Sequence, residues 1–355
     1  MKTIVLFLGS NCNANCSYCH AAKRTEGSTD PSASFYRYLQ EQMQSEAETM
    51  LCFLGGEPTL YMNAIKQIVS FCKGKKVSYR ITTNGLKLCE NEIVEYFNDH
   101  NFYVTISYDG IRGIRGYEDV FYRDEYYRNL CRLKNIGCSI TLSRNNPDIS
   151  KVAASFGQIE NRLGRYLPFR PHYVHATTPL VAQMAFDKRQ ARQYVDATIR
   201  LLEKFIRDYE NGLFNLKLYP LFKTLYESAH KNYQFPETRC FNRKYVQLDL
   251  QGNLYSCAYE PTETNRLGTV ENERGAVNGL ADFIIKKRPK CLTCEFYPYC
   301  GSHCLISLVP QMECYIHKRL ITWLFETLEK TKIDYANIEE QDFARSTGGI
   351  YGLYR

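Results

Sequence analysis

The sequence has no apolar run long enough to cross a membrane and no block of lysine and arginine. A membrane-spanning helix needs about 20 apolar residues, and no run in the chain approaches that length. The 45 basic residues exceed the 38 acidic ones and leave a formal charge of +7, but they are scattered along the chain. The lack of a long apolar run argues against membrane insertion, and the lack of a basic block argues against nucleic acid as a partner. No signal peptide precedes the first motif, so we expect a cytoplasmic protein.

Cysteine, by contrast, is abundant, with 15 in 355 residues. Without a secretory signal, this number favours metal binding in a reducing compartment over a disulfide framework. Cys12, Cys16 and Cys19 follow a short apolar strand in a C-x3-C-x2-C pattern. Three thiolates at this spacing can hold three irons of a [4Fe-4S] cube and leave the fourth iron open. The alternative is a set of buried thiols or half of a zinc site, but no partner motif follows closely in the sequence.

Apolar strands alternate with amphipathic helices through the first 215 residues. The predicted strands cover residues 3–8, 50–54, 77–82, 102–107, 138–142 and 169–174. The predicted helices cover residues 34–48, 62–73, 90–97, 125–136 and 186–209. This alternation predicts an α/β fold with a parallel sheet. Six strand–helix units are too few for a full eight-stranded barrel.

Several short motifs end these strands, and together with the first three cysteines they resemble the radical S-adenosylmethionine (SAM) superfamily. The resemblance implies a partial (β/α)6 TIM-like barrel with its active site at the carboxyl ends of the strands. The resemblance implies that an aromatic residue lies beside the SAM adenine. It also implies that residues at the strand ends contact the methionine and ribose parts of SAM, and that a polar residue contacts the SAM carboxylate. Its implied SAM-binding residues are Tyr18, Gly55, Gly56, Glu57, Pro58, Thr83, Asn84, Ser107, Asp109, Ser143 and Arg144. The alternative for Arg144 is a solvated loop arginine.

A second group of cysteines begins at Cys240 and resembles the SPASM extension of peptide-modifying radical SAM enzymes. By the scheme of that family, a distal auxiliary [4Fe-4S] cluster would be held by Cys291, Cys294, Cys300 and Cys314. A proximal cluster would be held by Cys240, Cys257 and Cys304. The alternative is a zinc ribbon built on the C-x2-C pair at the start of the distal set.

A β-hairpin is predicted within this extension, with strands near residues 247–250 and 254–256 and a turn near Gly252. It would bring Cys240 and Cys257 together at its open end. Some relatives place a further cysteine just before the first of the seven, but residues 233–239 contain none. The proximal cluster is therefore expected to have an open iron or a non-cysteine ligand such as Glu237.

We predict four segments along the chain: a radical SAM partial barrel at 1–215, a linker at 216–239, a small SPASM-type domain with a β-hairpin and short helices at 240–320, and a C-terminal helix and tail at 321–355. The remaining cysteines are expected to be buried and to act as small apolar side chains. They are Cys52, Cys72, Cys89, Cys131 and Cys138.

Residues outside the motifs argue against two of the reactions that such enzymes catalyse. In sulfatase-maturing relatives, an aspartate that acts as a base follows the second cysteine of the extension. This chain has Ala258 at that position. Epimerases need a spare thiol, and none lies between Cys138 and Cys240. The resemblance then favours oxidative cross-linking of a ribosomally made peptide, with the auxiliary clusters receiving an electron. His172 and His175, near the end of the sixth strand, are the candidate catalytic residues.

The expected cofactors are three [4Fe-4S] clusters and SAM. The expected partners are a peptide substrate, an electron donor such as flavodoxin or ferredoxin, and in some cases a separate peptide-recognition protein. Other readings remain open: the same cofactors acting on a small molecule, carbohydrate or amino acid, peptide epimerisation, or a zinc-stabilised binding module without catalysis.

Overall fold

The computed structural model describes residues 1–19, 30–46, 48–110, 115–257, 259–331 and 338. The strands are β1 (Lys2–Phe7), β2 (Thr49–Leu54), β3 (Val77–Thr83), β4 (Tyr103–Ser107), β5 (Asn135–Leu142), β6 (Phe169–Tyr173), β7 (Tyr245–Asp249), β8 (Asn253–Tyr255) and β9 (Arg266–Thr269). The α-helices are α1 (Ala33–Ser45), α2 (Met62–Phe71), α3 (Asn91–Asp99), α4 (Asp124–Arg132), α5 (Ile149–Leu163), α6 (Pro179–Ala182), α7 (Lys188–Glu210), α8 (Tyr219–Ala229), α9 (Glu273–Lys287), α10 (Tyr297–Cys300) and α11 (Pro310–Leu328).

All nine of these strands belong to one sheet, in the order β6-β5-β4-β3-β2-β1-β7-β8-β9. The first six strands pair in parallel with their neighbours in sequence, which confirms the predicted α/β fold and parallel partial barrel. Strand β7 joins the other side of β1, also in parallel, with Val5 opposite Gln247. Strands β8 and β9 continue the sheet in antiparallel pairing.

Each parallel strand has one face toward the helices and one toward the interior of the barrel, because successive side chains alternate in direction. In β3, Ile81 is fully buried and Tyr79 stacks on Phe102 at a centroid distance of 5.1 Å. Arg80, between them, points to the opposite side. We call that opposite side of the parallel strands the inner face. It carries polar side chains such as Arg80 and also buried apolar ones such as Val5 and Leu54.

The hairpin predicted around Gly252 is present. Its strands are β7 and β8, with Leu248 opposite Leu254. Gly252 has φ of +81°, a left-handed conformation that favours glycine at this turn. The two segments predicted as separate parts of the chain thus share one sheet through the pairing of β7 with β1.

Several element boundaries differ from those predicted, and two of these differences meet between α4 and β5. The helix predicted at 125–136 ends at Arg132, where Leu133 adopts an extended conformation and donates the last helical hydrogen bond to Asn129. Strand β5 starts at Asn135 rather than residue 138, since its pairing with β4 begins there, opposite Tyr103. Sheet pairing outweighs the local helical pattern at this position.

The C-terminal half contains two helices at the predicted segment borders. Helix α8 lies inside the predicted linker 216–239, and α11 runs across residue 320. The division of the chain into domains stays a prediction. Beyond residue 331, only residue 338 of the predicted tail lies within the described part of the chain. None of the described helices is both long and apolar enough to cross a membrane.

Candidate active site

The first three cysteines lie in the loop that follows β1. Burial raises the pKa of the Cys16 thiol to about 11; Arg115 opposes this shift, while Cys19 and Cys12 add to it. Burial also raises the pKa of Cys12, and Cys19 contributes to that shift. Thiols that hinder one another's ionisation are costly to deprotonate unless a cation offsets the charge. The arrangement therefore fits an iron cluster, and the predicted triad is brought together.

A pair of glycines after β2 supports this loop at close range. A β-carbon on Gly56 would lie 2.3 Å from the carbonyl oxygens of Ser10 and Asn11. The Gly56 N–H donates to the carbonyl of Gly9 at 2.8 Å, and the Glu57 N–H donates to that of Asn11 at 2.7 Å. A side chain at position 56 would push the cysteine loop away, which explains why glycine stands there.

The carboxylate of Glu57 ties the ends of β2 and β3 together. Its Oε1 accepts from the Thr59 N–H at 3.0 Å and from the hydroxyls of Thr59 and Thr83 at 2.6 Å each. Its Oε2 accepts from the Asn84 N–H at 2.7 Å. Glu57 is almost fully buried. Its side chain therefore has a structural role, and Pro58 begins the short helical turn that follows it.

Asn84 extends this network to the cysteine loop. Its amide nitrogen donates to Asn13 Oδ1 at 2.8 Å and contacts Cys12 Sγ at 3.8 Å. The end of β3 thus positions the first cysteine of the triad.

Asp109, after β4, is engaged on both carboxylate oxygens. The Tyr18 hydroxyl donates to its Oδ2, and Arg115 Nη1 donates to its Oδ1 at 3.4 Å. Arg115 also donates to the Tyr18 hydroxyl at 3.1 Å, and the Thr141 N–H donates to Asp109 at 3.3 Å. Arg115 was not among the residues predicted from the sequence, because no motif marks it and its only signal is a loop position near Asp109. Asp109 and Arg115 thus hold Tyr18, and with it the cysteine loop, beside the end of β4.

The end of β5 contains an unsatisfied polar group. The Ser143 hydroxyl is fully buried and has no hydrogen-bond partner among the described residues. Buried hydroxyls are normally satisfied, so this one fits a bound group such as the predicted SAM carboxylate. Arg144 is exposed, and its N–H donates to the Met184 carbonyl at 2.8 Å. Ser107 is half-buried, opposite Ser139.

Three cysteines of the extension lie near the open end of the hairpin. Burial raises the pKa of Cys257 to about 12, and Cys240 adds to the shift. Burial holds the pKa of Cys304 well above its usual value, with further contributions from Glu313, Cys257 and Cys240. The three residues of the predicted proximal set are thus neighbours.

The other four cysteines of the extension form a separate group. Burial raises the pKa of Cys300 to about 12, with contributions from Cys314, Cys291 and Cys294. Burial also raises the pKa of Cys314, again with contributions from Cys291 and Cys294. By these mutual effects the ten predicted ligands fall into groups of three, three and four, and the binding of a cluster by each group stays a prediction.

Glu237, predicted as an alternative ligand of the proximal cluster, is engaged elsewhere. Its carboxylate pairs with Arg243 Nε at 2.7 Å and accepts from the Gln234 N–H at 3.3 Å. The carboxylate beside Cys304 and Cys240 is Glu313 instead, on α11. Glu237 was predicted because it is close to Cys240 in the sequence. Glu313 lies far from Cys240 in the sequence, and the packing of α11 brings it close.

Glu313 is the centre of a buried hydrogen-bond network that the sequence did not indicate. Its Oε1 lies 3.0 Å from His175 Nδ1, and its Oε2 lies 3.0 Å from His303 Nδ1. Burial would raise the pKa of Glu313, but His175 and His303 outweigh it and hold the pKa well below its usual range. Burial lowers the pKa of His303 to about 4. The ligand atoms of the three residues lie within 4.8 Å of one another, close enough to hold a metal ion.

His172 lies in a different environment from His175. It is on the inner face of β6, and its pKa is held well below the usual value by burial, Arg170 and Arg239. The two candidate catalytic histidines therefore have different neighbours: His172 lies near two arginines, and His175 contacts Glu313.

The spare cysteines divide into two kinds. Cys72 and Cys138 are buried, as predicted, and Cys52 is half-buried on the inner face. Cys89 and Cys131 are exposed, so the prediction of buried thiols was wrong for them. Cys89 precedes α3, and Cys131 lies on the solvent side of α4. Ala258 lies outside the described residues.

Residues 6–149 match the Radical SAM superfamily. They form a radical SAM domain. Such a domain implies a [4Fe-4S] cluster and SAM, for which the cysteine loop and the strand ends described above have suitable residues.

The similarity to known proteins extends beyond this domain. The chain is 22% identical to a cysteine-type anaerobic sulfatase-maturating enzyme of Clostridium novyi, over 86% of this chain and 88% of that protein. The native anSMEcpe structure with bound AdoMet and Cp18Cys peptide has a TM-score of 0.66 and 16% identity, over 92% and 97% of the two chains. SuiB of Streptococcus suis, bound to its precursor peptide SuiA, has a TM-score of 0.58 and 16% identity, over 86% and 72%.

Proposed function

We propose that this radical SAM enzyme oxidatively cross-links a ribosomally synthesised peptide. The observation that carries the proposal is the spatial sorting of ten cysteines into three groups. Cys12, Cys16 and Cys19 would hold the cluster that works with SAM. The proximal and distal groups would hold two auxiliary [4Fe-4S] clusters.

A cross-link removes two hydrogen atoms, which leave as one hydrogen atom, one electron and one proton. When bound, SAM and the reduced first cluster supply a 5′-deoxyadenosyl radical that takes the hydrogen atom, and the auxiliary clusters supply the electron acceptor. The protein must orient the substrate carbon, exclude water and provide a base for the proton.

We propose His175 as that base. Glu313 accepts a hydrogen bond from His175 Nδ1 at 3.0 Å, which would leave the Nε2 of a neutral ring free to accept a proton. The side chain of His175 is 30% exposed, whereas that of Glu313 is only 4% exposed. A buried carboxylate behind a partly exposed imidazole stabilises the charge that the ring acquires. His172 is less suited to this role, because two arginines oppose its protonation.

A peptide substrate is supported by two structural neighbours that contain bound peptides. The electron donor is proposed to be a flavodoxin or ferredoxin. A separate protein would supply peptide recognition where the barrel opening and the extension do not suffice.

The test is co-expression with short peptides, beginning with any encoded beside the gene, followed by mass spectrometry. Cross-linking predicts a product lighter by two hydrogen atoms. The Cys240→Ala and His175→Gln variants should lose the cross-link while still converting SAM to 5′-deoxyadenosine. Full cross-linking by Cys240→Ala would refute the proposed electron acceptor.

Other outcomes would select among the alternatives. An unchanged mass with deuterium uptake would indicate epimerisation, and turnover of a sugar or amino acid alone would indicate a small-molecule enzyme. After anaerobic reconstitution we expect about twelve irons per chain, four for each cube. Zinc in place of iron would favour a non-catalytic binding module.

A further inference from the structure

Strand β6 presents a positive charge to the barrel interior. Phe169 stacks on Phe156 of α5 at a centroid distance of 5.0 Å, and Tyr173 packs on Tyr194 of α7 at 5.7 Å. These two side chains therefore face the helices. Alternation along the strand places Arg170 and His172 on the inner face.

A second arginine lies on the same face of the sheet. Arg80 Nε donates to Thr105 Oγ1 at 3.3 Å, and its guanidinium lies 5.0 Å from the ring centre of Tyr103. In the strand registers, Arg80 is opposite Cys52 of β2 and Arg170 is opposite Ser139 of β5.

The side chain of Arg170 has no ion pair or hydrogen bond with any described residue, whereas its backbone belongs to the pairing of β6 with β5. Burial lowers its pKa to about 10, and Arg239 and Arg80 lower it further, while the tyrosines Tyr245 and Tyr259 oppose the shift. None of these influences comes from a carboxylate. Arg170 is nevertheless exposed, so it lines a part of the barrel interior that solvent can enter. An unpaired guanidinium at such a position is available to bind an anion.

The cysteine groups do not account for this charge. Arg239, next to Cys240, lowers the pKa of both Cys240 and Cys300 and so faces the predicted clusters. Among the cysteine pKa values, Arg170 influences that of Cys52, which belongs to none of the three groups. Arg239 is thus placed to balance cluster charge, and Arg170 is left for another anion.

We propose that Arg170, with His172 beside it on the inner face of β6, binds a carboxylate of the peptide substrate inside the barrel. This inference rests on the proposed function, because it assumes a peptide in the cavity. Guanidinium pairs with a planar carboxylate through two parallel hydrogen bonds, which sets orientation as well as affinity. The neutral ring of His172 adds a hydrogen-bonding group without a competing charge. The substrate would therefore have an Asp or Glu side chain, or its own C-terminus, near the reacting carbon.

The cavity also adjoins the proximal cysteine group. Tyr259, whose pKa responds to Arg170, responds to Cys257 and Cys240 as well. A peptide anchored at Arg170 would thus lie between the radical SAM domain and the proposed electron acceptor. Arg170 is a positioning residue in this scheme and takes no part in bond formation.

Three synthetic tripeptides test the proposal without requiring turnover. The probes are acetyl-Ala-Glu-Ala-amide, acetyl-Ala-Gln-Ala with a free C-terminus, and the neutral acetyl-Ala-Gln-Ala-amide. The iron-loaded protein with SAM is treated anaerobically with butanedione, and modification of Arg170 is measured by mass spectrometry. At least one charged probe should slow modification of Arg170, and the neutral probe should not. Protection of Arg170 by the first probe would indicate a side-chain carboxylate, and protection by the second would indicate a C-terminal carboxylate.

Two controls make the result specific. Arg37, whose side chain is 66% exposed, should be modified at the same rate with every probe. Calorimetry should show affinity for the protecting probe falling about tenfold or more in Arg170→Gln and partly recovering in Arg170→Lys. Unchanged iron content and thermal midpoint in both variants would show that folding is intact.

Equal protection by charged and neutral probes, no protection by any probe, or undiminished affinity in Arg170→Gln would overturn the proposal. Failure of the proposed cross-linking would be seen separately, since it appears in the mass of co-expressed peptides and not in these binding measurements.

Discussion

Glu57 illustrates how a single side chain connects two strand ends of the barrel. Its carboxylate accepts four hydrogen bonds from Thr59, Thr83 and Asn84 while almost fully buried. Hydrogen bonds to a charged acceptor are stronger than neutral ones, and a buried donor left without a partner is costly. The position of Asn84, and through it Cys12, depends on this contact.

Replacing Glu57 by Gln should lower the free energy of unfolding by about 1–3 kcal/mol, because the amide group turns a donor toward groups that themselves donate. Urea titration under anaerobic conditions measures the change. The matched control is Glu90→Gln, an exposed residue paired with Lys87, which should change stability by less than about 0.5 kcal/mol. Equal effects of the two substitutions would contradict the structural role of Glu57.

At the scale of secondary-structure elements, α7 links the barrel to the extension. Its Tyr194 packs on Tyr173 at the end of β6, and the helix packs along α11, which carries Glu313 and Cys314. The helix starts with a capping box in which Asp187 accepts from the Gln190 N–H at 2.8 Å and the Gln190 side chain accepts from the Asp187 N–H at 3.1 Å. Both bonds satisfy N–H groups that lack partners within the helix.

Asp187→Ala should lower the free energy of unfolding by about 1 kcal/mol through loss of this cap. Asp196→Ala, at an exposed position within the same helix, serves as the control and should stay within about 0.5 kcal/mol of the unchanged protein. Thermal and urea unfolding of the three proteins provide the comparison. A larger loss from Asp196→Ala would argue against the cap as the source of stability.

The whole molecule combines a sheet-based core with a region that has little regular structure. Seven parallel strands and their helices bury most of the apolar side chains. Residues 289–309 contain only two short helical segments, yet they include four of the ten predicted ligands. The backbone hydrogen bonds of this segment close short turns and form no long helix or sheet ladder, so bound metal would contribute much of its order.

Removing iron anaerobically should therefore increase hydrogen exchange in residues 289–309 far more than in the strands β1–β6. Mass spectrometry of deuterated peptides from the iron-loaded and iron-free proteins measures the difference. The peptide containing β4 provides an internal reference, because its strand lies in the middle of the sheet. A uniform rise in exchange across both regions would show that the barrel, too, depends on the metal.

The predicted parts of the site differ in how they were found. Strand periodicity located the barrel strands, and short motifs at their ends located Glu57 and Asn84. The partners that hold these residues come from elsewhere in the chain: Arg115 pairs with Asp109 from a loop, and Glu313 reaches His175 from α11. No local pattern marks such pairs, because they depend on how distant elements pack.

The sequence by itself determined the α/β class, the parallel sheet of the first six strands and the cysteine spacings, because periodicity and short motifs act over a few residues. Only the tertiary structure decided that β7 joins β1, that Glu237 pairs with Arg243 while Glu313 lies beside the proximal cysteines, and that Arg170 lies exposed on the inner face of β6. Those outcomes depend on contacts between residues far apart in the chain. Burial and neighbouring charges then set the pKa and the hydrogen-bond partners of each side chain.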